Sequence, residues 1–119
     1  MHSRYREIKP YVSKDGSLIR ELIHPDQHGN AAQSLAEATI LPGQKTQRHR
    51  HIESEELYYV MQGQGVMTLG DEVFDISAGS SIAIMPGTPH CVDNTGKEDM
   101  VILCSCSPAY SHEDTEILE

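Results

Sequence analysis

G-Q-K-T-Q-R-H-R-H-I-E-S-E-E-L-Y-Y-V-M-Q-G, residues 43–63, sets two histidines one residue apart and follows them with three carboxylates. His49 and His51 come first, then Glu53, Glu55 and Glu56, then the apolar run 57–61. If residues 48–52 form a strand, His49 and His51 project from one face and Arg48 and Arg50 from the other. Two imidazoles on one face can share a cation. A loop over 52–55 would let the next strand return the Glu56 carboxylate to the same ion. Imidazole nitrogen with a carboxylate suits Fe(II), Mn(II), Ni(II) or Zn(II). The same stretch also reads as a solvated, charged surface turn, and on these residues alone both readings stand.

Working outward, the chain has 119 residues, one domain's worth, enough to bury a core without disulfides. Asp and Glu number 18 against 9 Lys and Arg, a formal charge of −9. Such an excess repels phosphate backbones and anionic membrane surfaces, so neither nucleic acid nor membrane is expected as a partner. No apolar run approaches the ~20 residues of a membrane span. The opening M-H-S-R-Y-R-E lacks the apolar segment of a signal peptide, so a cytoplasmic protein is expected. Three cysteines, Cys91, Cys104 and Cys106, do not make a disulfide framework. On a strand Cys104 and Cys106 share one face and read as buried thiols.

Short apolar or alternating runs at 18–23, 34–41, 57–61, 66–69, 73–76, 81–85, 90–92 and 100–106 are separated by glycine- and proline-rich turns. Strands at this spacing predict an all-β sandwich or barrel. H-P-D-Q-H-G-N, residues 24–30, reads as a loop, and the acidic tail after Pro108 as a short helix or a solvated end. Gly63 and Gly65 read as turn residues. The strand at 18–23 reads as an open edge suited to pairing between subunits.

A second histidine context bears on the first. M-P-G-T-P-H-C-V-D-N presents His90 directly after a turn held by Pro86 and Pro89. A ligand held that way loses little freedom on binding metal. Parity puts Tyr58 and Val60 on the face of Glu56 and turns Tyr59 away. Tyr58 is thereby a candidate cavity residue with a proton to give, and equally a packed aromatic. His2, His24, His28 and His112 read as surface residues, with His24 and His28 a faint second metal pair.

The two stretches resemble the two motifs of the cupin superfamily. The first motif reads G, five residues, H-x-H, three or four residues, E, six residues, G; this chain supplies Gly43, His49, His51, Glu56 and Gly63. The second reads G, five residues, P-x-G, two residues, H, three residues, N; here stand Gly79, Met85 in place of the proline, Gly87, His90 and Asn94. The motifs occupy 43–63 and 79–94, with fifteen residues between them, as in small bacterial cupins. The resemblance implies a single cupin domain over 1–119, its barrel core about 17–107, in a double-stranded β-helix or jelly roll. It implies one divalent transition metal held by His49, His51, Glu56 and His90, with Fe, Mn, Ni and Zn all admissible. Asn94 is expected to hydrogen-bond rather than ligate.

Four protein ligands leave about two positions of an octahedral ion for substrate or O₂. An oxygenase-like oxidoreductase on a small organic acid, enol or diketone is the first expectation. A redox-neutral metal-dependent isomerase or lyase is the second, and a non-catalytic small-molecule-binding barrel the third. The fold does not choose among them. Related small cupins are commonly homodimers, so a homodimer is expected.

Overall fold

The segment Ser34–Ile40, S-L-A-E-A-T-I, shows how this chain builds itself. Ser34, Ala36, Ala38 and Ile40 are buried, and Leu35, Glu37 and Thr39 face the other way, half-buried. That period of two belongs to a strand with one face on a core. The computed structural model describes residues 1–119. Its strands are β1 (Tyr11–Val12), β2 (Leu18–Ile23), β3 (Ser34–Ile40), β4 (His49–His51), β5 (Glu55–Gln62), β6 (Gln64–Leu69), β7 (Glu72–Ser77), β8 (Ser81–Ile84), β9 (His90–Asp93), β10 (Met100–Ser107) and β11 (Thr115–Ile117). A short 3₁₀ turn, Tyr5–Glu7, and a single-turn helix α1, Pro25–His28, complete them.

The strands form two antiparallel sheets. One runs β1-β2-β3-β10-β5-β8, the other β11-β4-β9-β6-β7. Their inner faces close on each other as a jelly-roll barrel, which leaves few sheet edges open. Register places inward residues in ranks across β3, β10 and β5. Ile102 faces Ala38 and Val60, Cys104 faces Ala36 and Tyr58, and Cys106 faces Ser34 and Glu56. The ranks thus pass from apolar to polar along the barrel. At the apolar end Val60, Met67 and Met100 have no exposed surface at all. Each such side chain contributes about 1.5–3 kcal/mol over leaving it in water.

Four expectations are corrected. The tail after Pro108 is neither helical nor a solvated end throughout: Thr115, Glu116 and Ile117 pair with His51, Arg50 and His49. Tertiary pairing overrides a composition that reads as solvated. The stretch 24–30 is not all loop, because His24 caps the turn of α1 by accepting from the Asp26 N–H. The strand at 18–23 is not the sheet edge, because Tyr11 and Val12 pair with Ile19 and Leu18. Gly65 serves no turn. It lies inside β6, where an added Cβ would stand 2.2 Å from the Asp93 carbonyl oxygen and 2.4 Å from Met100 Cε. Only glycine permits that approach of backbones. Gly63, at φ +92°, does make the turn.

Candidate metal centre

The two histidine stretches meet because their backbones zip together. His49 and His90 are direct cross-strand partners on β4 and β9. Around that pair, Thr46 N–H donates to the Val92 carbonyl and Val92 N–H to Thr46 Oγ1, both at 2.9 Å. Gly87 N–H donates to the His51 carbonyl at 2.6 Å, and Gly43 N–H to the Asn94 carbonyl at 3.1 Å. Asn94 is fully buried: its amide donates to the carbonyls of Ile40 and Glu98, and its oxygen accepts from Gly96 N–H. Its side chain is spent on holding loops, as the sequence suggested.

Each imidazole is fixed by a partner on Nδ1. His49 Nδ1 lies 2.8 Å from the Gln47 carbonyl and His90 Nδ1 2.9 Å from that of Thr88. Carbonyls only accept, so both Nδ1 atoms carry the proton. His51 Nδ1 lies 3.0 Å from Thr115 Oγ1, whose own hydrogen goes to the Ser111 carbonyl. Its Nδ1 therefore donates as well. All three rings then turn an unprotonated Nε2 inward, the tautomer in which histidine binds metal. One ring nitrogen from each of the three histidines comes within 4.8 Å of the other two.

Glu56 adds an oxygen to this group. Its Oε1 lies 3.1 Å from His51 Nε2 and 3.5 Å from His90 Nε2. His90 Nε2 is buried with no hydrogen-bond partner. The site is a convergence of acceptors lacking a donor, and such a group needs a cation, whether proton or metal. Burial pushes the Glu56 carboxyl up, but its contacts with His51 and His90 outweigh this and hold it down at about 2. Burial pushes His51 down, yet the hydrogen bond and charge of Glu56 prevail and raise it. Without metal, a proton is therefore drawn between those two. His49 is lowered by burial and by neighbouring His90.

His49, His51 and Glu56 line a cavity of about 50 Å³ whose lining also includes Asp15, Glu21, Tyr58, Tyr110 and Cys106. At roughly 10–15 Å³ per enclosed water, that space suits an ion and a small ligand. Tyr58 faces inward from β5, 8% exposed, with its ring 6.1 Å from that of His90. Burial, then the charge of Glu56, keep its hydroxyl well above the usual range and so protonated. Cys106 Sγ donates to Glu56 Oε2 at 3.3 Å. Burial and that same carboxylate push the Cys106 thiol up. Arg50 pairs with Glu116 at 2.9 Å on the outer face. His24 and His28 spend ring nitrogens on local backbone, at Asp26 N–H and His24 N–H, and His24 Nε2 meets the Tyr110 carbonyl.

Several lining residues carried no signal in the sequence. Asp15 sits in the turn between β1 and β2, where its Oδ1 accepts from Ser13 Oγ, Ser17 Oγ and Ser17 N–H. Its Oδ2 is left 3.6 Å from His49 Nε2. K-D-G-S reads as an ordinary turn, and only the folding of that turn over the barrel brings the carboxylate in. Glu21 on β2 alternates correctly to face inward, but parity does not tell which face is inner.

A jelly-roll barrel with three inward imidazoles and a carboxylate from paired motifs defines a cupin. The cupin domain family matches residues 36–106, and the chain belongs to it. It is 52% identical over 117 residues to an uncharacterised protein of Methanocaldococcus jannaschii, across 98% of this chain and 94% of the relative. It is 30% identical to the oxalate-binding protein of Thermotoga maritima, across 85% of this chain and 79% of the relative. The crystal structure of a predicted oxalate decarboxylase from Thermotoga maritima matches with a TM-score of 0.78 at 27% identity, covering 91% of this chain and 99% of that one. No helix here is long and apolar enough to cross a membrane.

Proposed function

We propose that this cupin holds one divalent transition metal on His49, His51, Glu56 and His90 and acts as an enzyme on a small chelating organic molecule. The observation that carries the reading is the set of three Nδ1–H donors, which leaves the Nε2 atoms of the three neutral rings turned toward a carboxylate oxygen, a group that a proton or a metal must hold together. Nitrogen and carboxylate ligands of this kind fit Fe(II), Mn(II), Ni(II) or Zn(II). Bound there, such an ion would polarise a chelated oxygen and offer its open positions to substrate or O₂. The backbone zipper between the motifs holds the rings before any ligand arrives. Ala36, Ala38, Ile40, Val92 and Ile102 give the cavity an apolar wall.

Oxygen-dependent oxidation of an enol or diketone is the favoured reaction, supported by that apolar wall beside the open positions. A redox-neutral isomerase or lyase is the second reading. It is favoured by Tyr58, whose buried hydroxyl stays protonated and can give a proton beside the ion. Outward Leu35, Leu57, Tyr59, Ala83 and Leu103 form an uncharged strip on the larger sheet, which supports a homodimer.

Elemental analysis of protein purified without a metal-affinity tag tests the centre. Wild type should carry close to one transition ion per chain, and His90→Ala less than a tenth of that with the strand signature in circular dichroism retained. Equal metal in both removes the assignment. Turnover of a diketone with Fe(II) but not Zn(II), and lost without O₂, separates the oxygenase from the redox-neutral reading.

A further inference from the structure

The cavity that holds the candidate centre is one-sided in charge. Its lining includes the carboxyls of Asp15, Glu21 and Glu56, and no lysine or arginine. The cations nearby in sequence are committed elsewhere. Lys14 Nζ donates to the carbonyls of His112 and Thr115, each at 2.8 Å. Arg20 projects from the opposite face of β2 to Glu21, with Nη1 3.0 Å from Tyr5 Oη and 3.6 Å from Glu37 Oε1. A divalent ion at the histidines would be matched by Glu56 beside two of them and Asp15 beside the third. A ligand with two negative charges would then enter a low-dielectric space with nothing to offset it.

Glu21 gives the cavity a second recognition point. The residue is 9% exposed, and Oε2 accepts from Tyr11 Oη at 3.0 Å. Oε1 is buried and has no partner. A buried polar atom without a partner carries a desolvation cost that a bound ligand can relieve. Glu21 also lines an outer groove with Tyr11, His24, Gln27, Tyr110 and His112, so it stands where the inner cavity opens outward. The metal candidates contact Asp15 and one another, and none of those contacts uses Glu21. Its free Oε1 can accept a hydrogen bond from a hydroxyl at the far end of a ligand.

We propose that the cavity selects an uncharged or singly charged chelator, of the hydroxyketone or 1,3-diketone class, over a dicarboxylate, with Glu21 the specificity residue that hydrogen-bonds its far end. The proposal rests on the metal reading above. It parts this chain from its oxalate-binding relative in ligand class.

Cobalt(II) loading separates the two claims. Stoichiometric uptake, read from the visible spectrum, is measured first; no uptake overturns the metal reading and this proposal with it. The loaded protein is then titrated with kojic acid, a neutral hydroxyketone with a hydroxymethyl group away from its chelating oxygens, and with oxalate. Kojic acid should shift the spectrum at concentrations at least tenfold below those oxalate needs. Glu21→Leu should keep cobalt affinity within twofold and weaken kojic acid at least fivefold. Glu21→Lys, which places a cation at the mouth, should tighten oxalate at least tenfold. Oxalate binding as tightly as kojic acid to wild type overturns the charge selection. Unchanged kojic acid affinity in Glu21→Leu, with cobalt still bound, overturns the role of Glu21.

Discussion

One end of this barrel is filled and the other is hollow, although the same strands build both. Along β10 the inward residues run Met100, Ile102, Cys104, Cys106, and along β5 from the same end Val60, Tyr58, Glu56. At the filled end methionines, isoleucine and valine interlock, and Gly65 lets the Asp93 backbone press close. At the hollow end the paired inward side chains of β3 and β10 are small, Ser34, Ala36, Cys104 and Cys106, and they line the cavity. The filled end can therefore hold the fold while the hollow end carries unpaired acceptors that cost stability.

That division is open to direct attack, and the filled end should yield the largest effect. Met67→Ala removes a side chain with no exposed surface and should lower unfolding free energy by about 2–5 kcal/mol in urea. Metal stoichiometry at native conditions should stay at the wild-type value. A loss of metal that parallels the loss of stability would break the separation of the two ends.

At the hollow end the expected effect falls on binding. Thr115→Val leaves His51 Nδ1–H without its acceptor while keeping side-chain shape. Loss of such a support typically weakens metal 10–100-fold, or about 1.4–2.7 kcal/mol. Competition with a chromophoric chelator measures it, and affinity within twofold of wild type would mean that β11 matters only for packing.

The smallest effect is a pH dependence at the mouth. Burial raises the Glu21 carboxyl in the folded chain above its ordinary 4.5. Below that value the group is protonated whether the chain is folded or not. As pH rises, the unfolded chain releases the proton first, so stability is lost across the window above 4.5. Glu21→Gln removes this penalty. Its melting temperature should match wild type near pH 3 and exceed it at pH 7. A variant less stable than wild type at pH 7 would show Glu21 to be structurally needed as an acid.

Much of the site was legible because strand parity is a local property. With period two, H-R-H puts both imidazoles on one face, and E-E-L-Y-Y-V puts Glu56, Tyr58 and Val60 together. The Pro86 and Pro89 turn announced His90 in the same local way. Asp15, Thr115 and Tyr110 were not legible, because their side chains reach the cavity through pairings between distant segments. The acidic tail shows the limit well. S-H-E-D-T-E-I-L-E has the composition of a solvated end, yet three of its residues pair with β4 and one braces a ring. The outer edge was misplaced for a related reason: β1 is two residues long, too short to show alternation.

The resemblance of its two histidine motifs pointed to the cupin family; by itself the sequence determined an all-β sandwich or barrel, and the parity that turns His49 and His51 to one face of their strand and Glu56 and Tyr58 to one face of the next. These follow from spacing, turn chemistry and alternation, which act over a few residues. Tertiary structure alone decided that the three Nε2 atoms are the ones left free, since their Nδ1 partners include a threonine from the far tail. It alone placed Asp15 beside His49 and Glu21 at the mouth, and left the cavity without a cation. Those facts depend on which strands lie beside which, and sheet order is set by the burial of the whole chain rather than by any one segment.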